Sequence, residues 1–341
     1  MRVLYITRDR SGRKIRKRMH RWAIGFIDGQ DGFFEAALHE AVRVTRMPYE
    51  QAIALSDTQR RAFDAVVVNG KAGLPWQEDP SAALDALRPF NQPVSLFVGH
   101  AQPEVMPPDA LLDRFKVVFK REPFADTGRY GISDANAAKI VPTHLANPMV
   151  SHSYRLKWRN RTRPLSTYAW QTPDEYDVFF IGTVSENRYV ARIAAWEAVL
   201  GSDLTSIGGL LPKPEFKAQV PPALITDPLP KQEYREVMMR SSINLALEGI
   251  GPFTFRHLEQ FWAGAFTLST NTIRPLRLRA PLVEDQDYVA FDTIDEMMDK
   301  IRWYLEHDDA RKTIAQNGRK AYERLYDVPA HAAEIRAALT A

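Results

Sequence analysis

Short runs of β-branched and aromatic residues alternate along this chain with longer stretches of helical spacing, and that alternation limits the fold more than any other feature. Residues 2–7 (RVLYIT), 65–69 (AVVVN), 94–98 (VSLFV), 116–119 (KVVF) and 139–141 (KIV) read as buried strands bounded by Gly, Pro or Asp. Between them, residues 33–45 and 82–87 have helical periodicity, and Asp109 is placed to cap a helix over 109–115. Strands separated by helices predict a parallel sheet covered on both faces, with ligands bound beyond the carboxyl ends of its strands. An irregular Arg-, Ser-, Thr- and Pro-rich stretch follows, and then a second α/β series begins. Its strands are expected at 176–181, 204–207, 243–247 and 266–269. Its helices are expected at 189–200, 232–240, 254–262, 295–306 and 310–325. A proline-rich loop spans 213–230, with a short strand at 223–226. The reading is α/β with two Rossmann-like domains facing a cleft: residues 1–160, a linker over 161–173, and residues 174–325.

At 341 residues and 45% hydrophobic content, two packed cores are within reach and a disordered chain is excluded. No apolar run is long enough to span a bilayer, and the first residues lack the apolar core of a secretory signal. The expected location is therefore the cytoplasm, including a peripheral position at the inner membrane face. Zero cysteines rule out disulfides, thiolate metal sites and a cysteine nucleophile. The net charge of +3 hides a strong asymmetry, because eight Lys or Arg stand against the single acid Asp9 between Arg8 and Arg21. A second basic cluster comprises Arg155, Lys157, Arg159, Arg161 and Arg163. Such runs attract phosphates, anionic lipid or nucleic acid, or are solvated loops. From Arg13 to Arg21 the spacing predicts a basic helix with Ile15, Met19 and Trp22 along one side, suited to an anionic membrane surface. Nucleic acid is the less favoured partner, since no zinc finger, helix-turn-helix or aromatic RNA-binding pattern is present.

The stretch 241–270 (SSINLALEGIGPFTFRHLEQFWAGAFTLST) carries the most chemistry. A buried strand runs into Glu248, Gly249, Ile250, Gly251 and Pro252. The two glycines let backbone approach a ligand, and the next helix offers free N–H groups at its start, with the Thr254 hydroxyl beside them. Arg256 and Glu259 share one face of that helix. Amides and Arg256 suit a diphosphate, and Glu259 suits ribose hydroxyls. The same residues also fit a surface ion pair beside a structural turn.

The order strand, Glu-Gly-x-Gly, Phe-Arg-x-x-Glu and Trp-Ala-Gly-Ala-Phe-x-Leu-Ser resembles the donor region of GT-B glycosyltransferases. It is most similar to the bacterial group-1-like enzymes that include spore-maturation proteins, and more distantly to exostosin-like enzymes. Tyr176 to Gly182 with Arg188, residues 287–291 (DYVAF) and residues 314–318 (IAQNG) extend the resemblance over the C-terminal half. It implies a metal-independent hexosyltransferase that moves a sugar from a nucleotide-sugar donor to a glycan, lipid-linked or other acceptor, with no cofactor. By resemblance Glu259 holds the ribose, Arg256 and Arg188 face the diphosphate, and Gly182, Gly249, Gly251 and Thr254 line the donor. It also implies that residues 326–341 form a helix packing back toward the first domain. Two departures stand out. Gly251 occupies the place where many retaining GT-B enzymes carry a second Glu, with Glu248 nearby but out of register. The Lys that often follows the phosphate-loop Arg is missing, and the resemblance leaves open whether Arg192 substitutes for it.

Enzymes of this architecture stabilise the departing diphosphate with helix N-termini and basic side chains. The eight His form no recognisable metal motif, and His144 and His152 read as loop residues. For a catalytic group, His100 follows the strand at 94–98 through Gly99, and Asp28 lies in a glycine-bearing loop. A structural histidine and simple turn chemistry account for them equally. Lys120 and Arg121 read as surface charges. Competing readings are a non-catalytic nucleotide-sugar-binding protein of the same fold, a nucleic-acid-modifying glucosyltransferase, and a phosphate-sugar epimerase.

Overall fold

A computed structural model describes residues 1–8, 15–27, 29–161, 172–185 and 190–341, without the side chains of 15–18, 21 and 190. The chain divides into two compact units. One comprises residues 1–162, 275–279 and 326–341; the other comprises 163–274 and 280–325.

The first unit opens with β1 (Arg2–Ile6), α1 (Ile15–Ile24), β2 (Phe26–Ile27), α2 (Gly32–Ala41) and β3 (Arg43–Met47). After the short helices α3 (Tyr49–Ile53) and α4 (Asp57–Arg60) come β4 (Ala65–Asn69), α5 (Pro80–Leu87) and β5 (Val94–Val98). The series ends with α6 (Asp109–Leu112), β6 (Val118–Arg121), α7 (Asp134–Ala137), β7 (Ile140–Thr143) and β8 (His152–Ser153). Six strands form one parallel sheet in the order β3-β1-β4-β5-β6-β7. Every residue of β4 and β5 is buried, as expected for central strands covered on both faces. Phe34 of α2 stacks on Phe97 of β5 with ring centroids 4.1 Å apart, which locks helix to sheet. The helical spacing read over 33–45 stops at Ala41. The remainder is the edge strand β3, where Val44 and Thr45 favour extended backbone and pairing with β1 supplies the hydrogen bonds. The strand expected at 116–119 lies two residues later, at Val118–Arg121.

The second unit contains β9 (Tyr176–Val184), α8 (Val190–Leu200), β10 (Ser206–Pro212), α9 (Lys231–Met239), β11 (Ser241–Ala246) and α10 (Phe255–Ala263). It continues through β12 (Thr267–Thr270), β13 (Val289–Phe291), α11 (Ile294–Glu306) and α12 (Asp308–Leu325). Its parallel sheet has the order β10-β9-β11-β12-β13. The strand expected at 204–207 runs instead over Ser206–Pro212, because Gly208 and Gly209 continue it rather than close it. Both take positive φ, +122° and +144°, and a Cβ on Gly208 would lie 1.9 Å from the Phe180 carbonyl oxygen. Residues 223–226 supply a single bridge, from Ile225 to Leu210.

The last helix, α13 (Val328–Thr340), belongs to the first unit. There His331 stacks on Phe33 of α2 at 5.2 Å and bonds Thr143 at the end of β7. Among the described residues, no helix is long and apolar enough to cross a membrane.

Candidate donor site

In both sheets the first strand lies inside, and the chain crosses from it once to each side. The order reversal falls between β9 and β11 in the second unit and between β1 and β4 in the first. Parallel sheets bind ligands at the carboxyl edge of that reversal, where the two crossovers diverge and leave a crevice.

In the second unit, this edge is fastened by Arg192 of α8. Its Nε donates to the Glu248 carbonyl (2.6 Å), Nη1 to that of Thr183 (2.7 Å) and Nη2 to that of Leu247 (3.2 Å). The residue is buried. Strand ends leave carbonyls without ladder partners, and one planar guanidinium satisfies three of them. Arg192 is therefore committed to main chain, not free to replace a phosphate-binding lysine.

Helix α10 begins just beyond the loop that follows β11. The Thr254 N–H donates to His257 Nδ1 (3.0 Å), so His257 carries its proton on Nε2 and donates to Ser269 Oγ (2.8 Å). Complete burial pushes His257 down to about 3, so the ring is neutral and its hydrogen-bond direction is fixed. This relay ties the start of α10 to β12, and the first turn of the helix carries amides without acceptors inside the helix. At the other end Gly264 adopts φ 69°, and Ala265 N–H closes back on the Gln260 carbonyl.

Arg256 and Glu259 do not form an ion pair. Arg256 Nε donates to the Ile181 carbonyl (2.5 Å) at the end of β9, with the guanidinium over the Phe180 ring. Glu259 is 9% exposed and its Oε2 accepts from the Tyr234 hydroxyl of α9 at 3.0 Å. Burial raises the Glu259 carboxyl, opposed by the charge of Arg256 and the Tyr234 hydrogen bond; burial and the neighbouring carboxylate raise the Tyr234 phenol well above its ordinary range. A carboxylate so placed, with Oε1 accepting from no described residue, suits paired hydroxyls.

Gly249 and Gly251 both keep negative φ, and Gly249 N–H donates to the Gly251 carbonyl (3.1 Å). Gly182 has a packing reason to be glycine: a Cβ there would meet Phe180 Cζ at 2.3 Å. Thr254 is buried. Arg188 lies outside the described residues, as does Asp28. Tyr234 and His257 were missed from sequence. Tyr234 lies 25 residues from its partner, and His257 has no signal of its own between Arg256 and Glu259.

In the first unit, the corresponding edge gathers Asp31, Asn69, Lys71 and His100. Asp31 accepts from Lys71 Nζ (3.1 Å) and Asn69 Nδ2 (3.3 Å), while a Cβ on Gly99 would lie 2.7 Å from Asp31 Oδ1. Asn69 also bonds the Tyr5 hydroxyl (3.0 Å), beside a buried bidentate pair of Glu35 with Arg46. His100 is half-buried against Trp76, and burial together with Lys71, Lys120 and Arg121 pushes it down to about 4. Lys120 and Arg121 are not surface charges: both are buried. Lys120 Nζ donates to the Gln102 and Arg121 carbonyls, and Arg121 Nε to Glu122 (2.9 Å). Burial brings Lys120 down to about 7. His144 and His152 are likewise buried; His152 sits in β8 and its Nε2 lies 2.9 Å from the Tyr326 hydroxyl.

Residues 188–337 match a family model described as glycosyl transferase-like. The chain is similar over 100% of its length, and over 99% of that chain, to the crystal structure of Anabaena Alr3699/HepE in complex with UDP and glucose (11% identity, TM-score 0.58). A glycosyltransferase from Rickettsia africae is similar over 99% of this chain and 97% of its own (8% identity, TM-score 0.62). S. aureus MnaA, in a structure with UDP, is similar over 98% and 94% (10% identity, TM-score 0.52). Comparison with the curated proteins gives no match. The chain thus has the GT-B fold, and its residues 188–337 match the glycosyl transferase-like model, in line with the resemblance to group-1-like GT-B enzymes.

Proposed function

We propose that this protein transfers a sugar from a nucleotide-sugar donor to a glycan, lipid-linked or other hydroxyl-bearing acceptor, with the donor held by the second unit. The observation that carries the reading is the divergence of Arg256 and Glu259 at one sheet edge. One is anchored through Nε with its two terminal nitrogens bonded to no described residue, and the other is buried with one carboxylate oxygen left for sugar hydroxyls. HepE with UDP and glucose and MnaA with UDP supply the nucleotide class to try first.

In this reading, the ribose hydroxyls bond Glu259, which the Tyr234 hydroxyl orients. The diphosphate meets the first amides of α10 and the Arg256 guanidinium, joined by Arg188. As the glycosidic bond breaks, negative charge grows on the departing diphosphate, and these donors would stabilise it without a metal. Gly249 and Gly251 let the donor lie against main chain. In the first unit Asp31 and His100 are the acid–base groups at the acceptor edge. Burial and the cations around it keep the His100 ring neutral, so it can accept a hydrogen bond from an acceptor hydroxyl, and Asp31 lies at the same edge, bonded to Lys71.

Titration of the purified protein with UDP, UDP-glucose and other nucleotide diphosphates, followed by thermal unfolding, tests the donor assignment. A dose-dependent stabilisation by one of them, lost in Glu259→Ala, is the expected result. Indifference to all of them overturns it. The second reading, a nucleotide-sugar-binding protein without catalysis, is favoured by Gly251 standing where many retaining enzymes carry Glu. Donor binding with neither transfer nor hydrolysis selects it.

A further inference from the structure

Three large apolar side chains stand out among the described residues for their exposure: Trp22 (76%), Trp158 (70%) and Met19 (63%). Tryptophan is seldom left in water, because its surface carries a large transfer free energy. Two of these residues lie on α1 and the third lies 136 positions later along the chain. The fold nevertheless stitches their segments together. β2, directly after α1, pairs antiparallel with β8, Phe26 to Ser153 and Ile27 to His152. Tyr154 N–H donates to the Gly25 carbonyl (3.0 Å), Arg155 Nη1 to that of Ala23 (3.4 Å), and Ser153 Oγ to that of Ile24. A Cβ on Gly25 would collide with Arg155 Cγ at 2.8 Å, so the two segments touch through a glycine.

Each segment also holds one of the two basic clusters of the sequence. α1 carries Arg16, Lys17, Arg18 and Arg21, and its exposed Met19 and Trp22, three apart, share a face. The turn after β8 carries Arg155, Lys157, Arg159 and Arg161, with Arg159 over the ring of Trp158. Glu40 takes up part of this charge, bonding Arg161 (3.3 Å) and lying 3.8 Å from Lys157. Exposed indole rings on segments rich in Lys and Arg are the chemistry of the bilayer interface, where the ring sits among headgroups and the cations meet lipid phosphates.

We infer that α1 and residues 155–161 form one composite surface that docks on a bilayer bearing anionic headgroups. It lies wholly in the first unit and does not depend on the donor assignment. Nucleic acid would use the cations but has no need of two exposed indoles on joined segments, unless bases are unstacked against them.

The test is co-sedimentation of the full-length protein with phosphatidylcholine vesicles, with and without phosphatidylglycerol, at low and high salt. Binding is expected only with the anionic lipid, weakening as salt rises. Trp22→Ala and Trp158→Ala are each expected to weaken it, and Lys157→Glu or Arg159→Glu to lower the partition coefficient by about fivefold or more. Brominated lipid is expected to quench wild-type tryptophan emission more than that of Trp158→Phe. Trp22, Lys157 and Trp158 are exposed and Arg159 is half-buried, so thermal unfolding of the first three variants should match wild type and separate lost docking from lost fold. Absence of binding to anionic vesicles overturns the inference. So does binding indifferent to Trp158→Ala, which would leave α1 acting alone. Salt-sensitive capture of a single-stranded oligonucleotide, without vesicle binding, would reassign the surface to nucleic acid.

Discussion

The Tyr234 hydroxyl donates to Glu259 Oε2 across 3.0 Å, joining two helices through a carboxylate that is only 9% exposed. The bond compensates part of the cost of burying the carboxylate and leaves Oε1 as the oxygen that bonds no described residue. Burial still dominates, so the Glu259 carboxyl binds its proton more tightly than in the unfolded chain.

That relationship sets opposite expectations for stability and binding in Glu259→Gln. Between the ordinary carboxyl range and the raised folded value, the native state holds more protons than the unfolded one, so this group's contribution to stability falls as pH rises. Glutamine still accepts from Tyr234 and removes the buried charge. The variant should be as stable as wild type or more so at pH 7, with the difference vanishing in acid. Its nucleotide affinity should drop by roughly 1–3 kcal/mol, about five- to 150-fold. Urea unfolding at several pH values, paired with UDP titration, reads both; a variant that binds normally removes Glu259 from the site.

Arg192 and Arg256 should separate in the same way. Arg192 satisfies three carbonyls from a buried position, so Arg192→Met should destabilise the protein by roughly 3 kcal/mol. Arg256 makes one main-chain bond and is half-buried. Arg256→Lys should leave the melting temperature near wild type while weakening UDP binding, because lysine cannot offer the bidentate fork. Equal binding by Arg256→Lys would contradict its diphosphate role.

How far the site was legible follows from where its determinants lie. Strands β4 and β5 were read to the residue because continuous apolar, β-branched runs admit few alternatives. Loop 247–254 and the face of α10 were found because glycines, a cap and spaced charges occur in one short window. Lys120 and Arg121 were misread because charge alone predicts exposure, whereas carbonyls at the strand ends and Glu122 let both be buried. Tyr234 and the Asp31–Lys71–Asn69 cluster leave no local signature: each is assembled from separate elements by strand order. The surface joining Trp22 to Trp158 escaped for the same reason, although both basic runs were evident.

Acid sensitivity follows from the histidines. Burial pushes His39 and His257 down to about 3 and His152 to about 4. Each is neutral in the native state but takes a proton near pH 6.5 once unfolded, so the unfolded state binds more protons as pH falls below that value. The stability held by these groups is complete above about pH 6.5 and is lost toward pH 4, at about 1.4 kcal/mol per pH unit for each histidine charged only when unfolded. Urea midpoints measured from pH 7.5 to 5 should fall steeply. A flat profile would mean that the rings are accessible to protons in the native state.

Gly182 distinguishes packing from ligand contact. Residues two apart on a strand share a face, and the Phe180 ring folds across the space a Gly182 Cβ would fill, 2.3 Å from Cζ. The same ring lies 5.4 Å from the Arg256 guanidinium carbon. Gly182→Ala should therefore cost roughly 2 kcal/mol by forcing the ring aside. Phe180→Leu alone should cost a similar amount as a buried truncation. The double variant should be more stable than the sum of the two changes predicts, since the smaller side chain makes room for the methyl group. Additive losses would show that Phe180 is not what Gly182 accommodates. If the double variant recovers stability yet still fails to bind UDP, the glycine also serves the donor, or the Phe180 ring is needed to hold Arg256. Phe180→Leu alone then decides between these, because only the second explanation predicts weak binding with Gly182 intact.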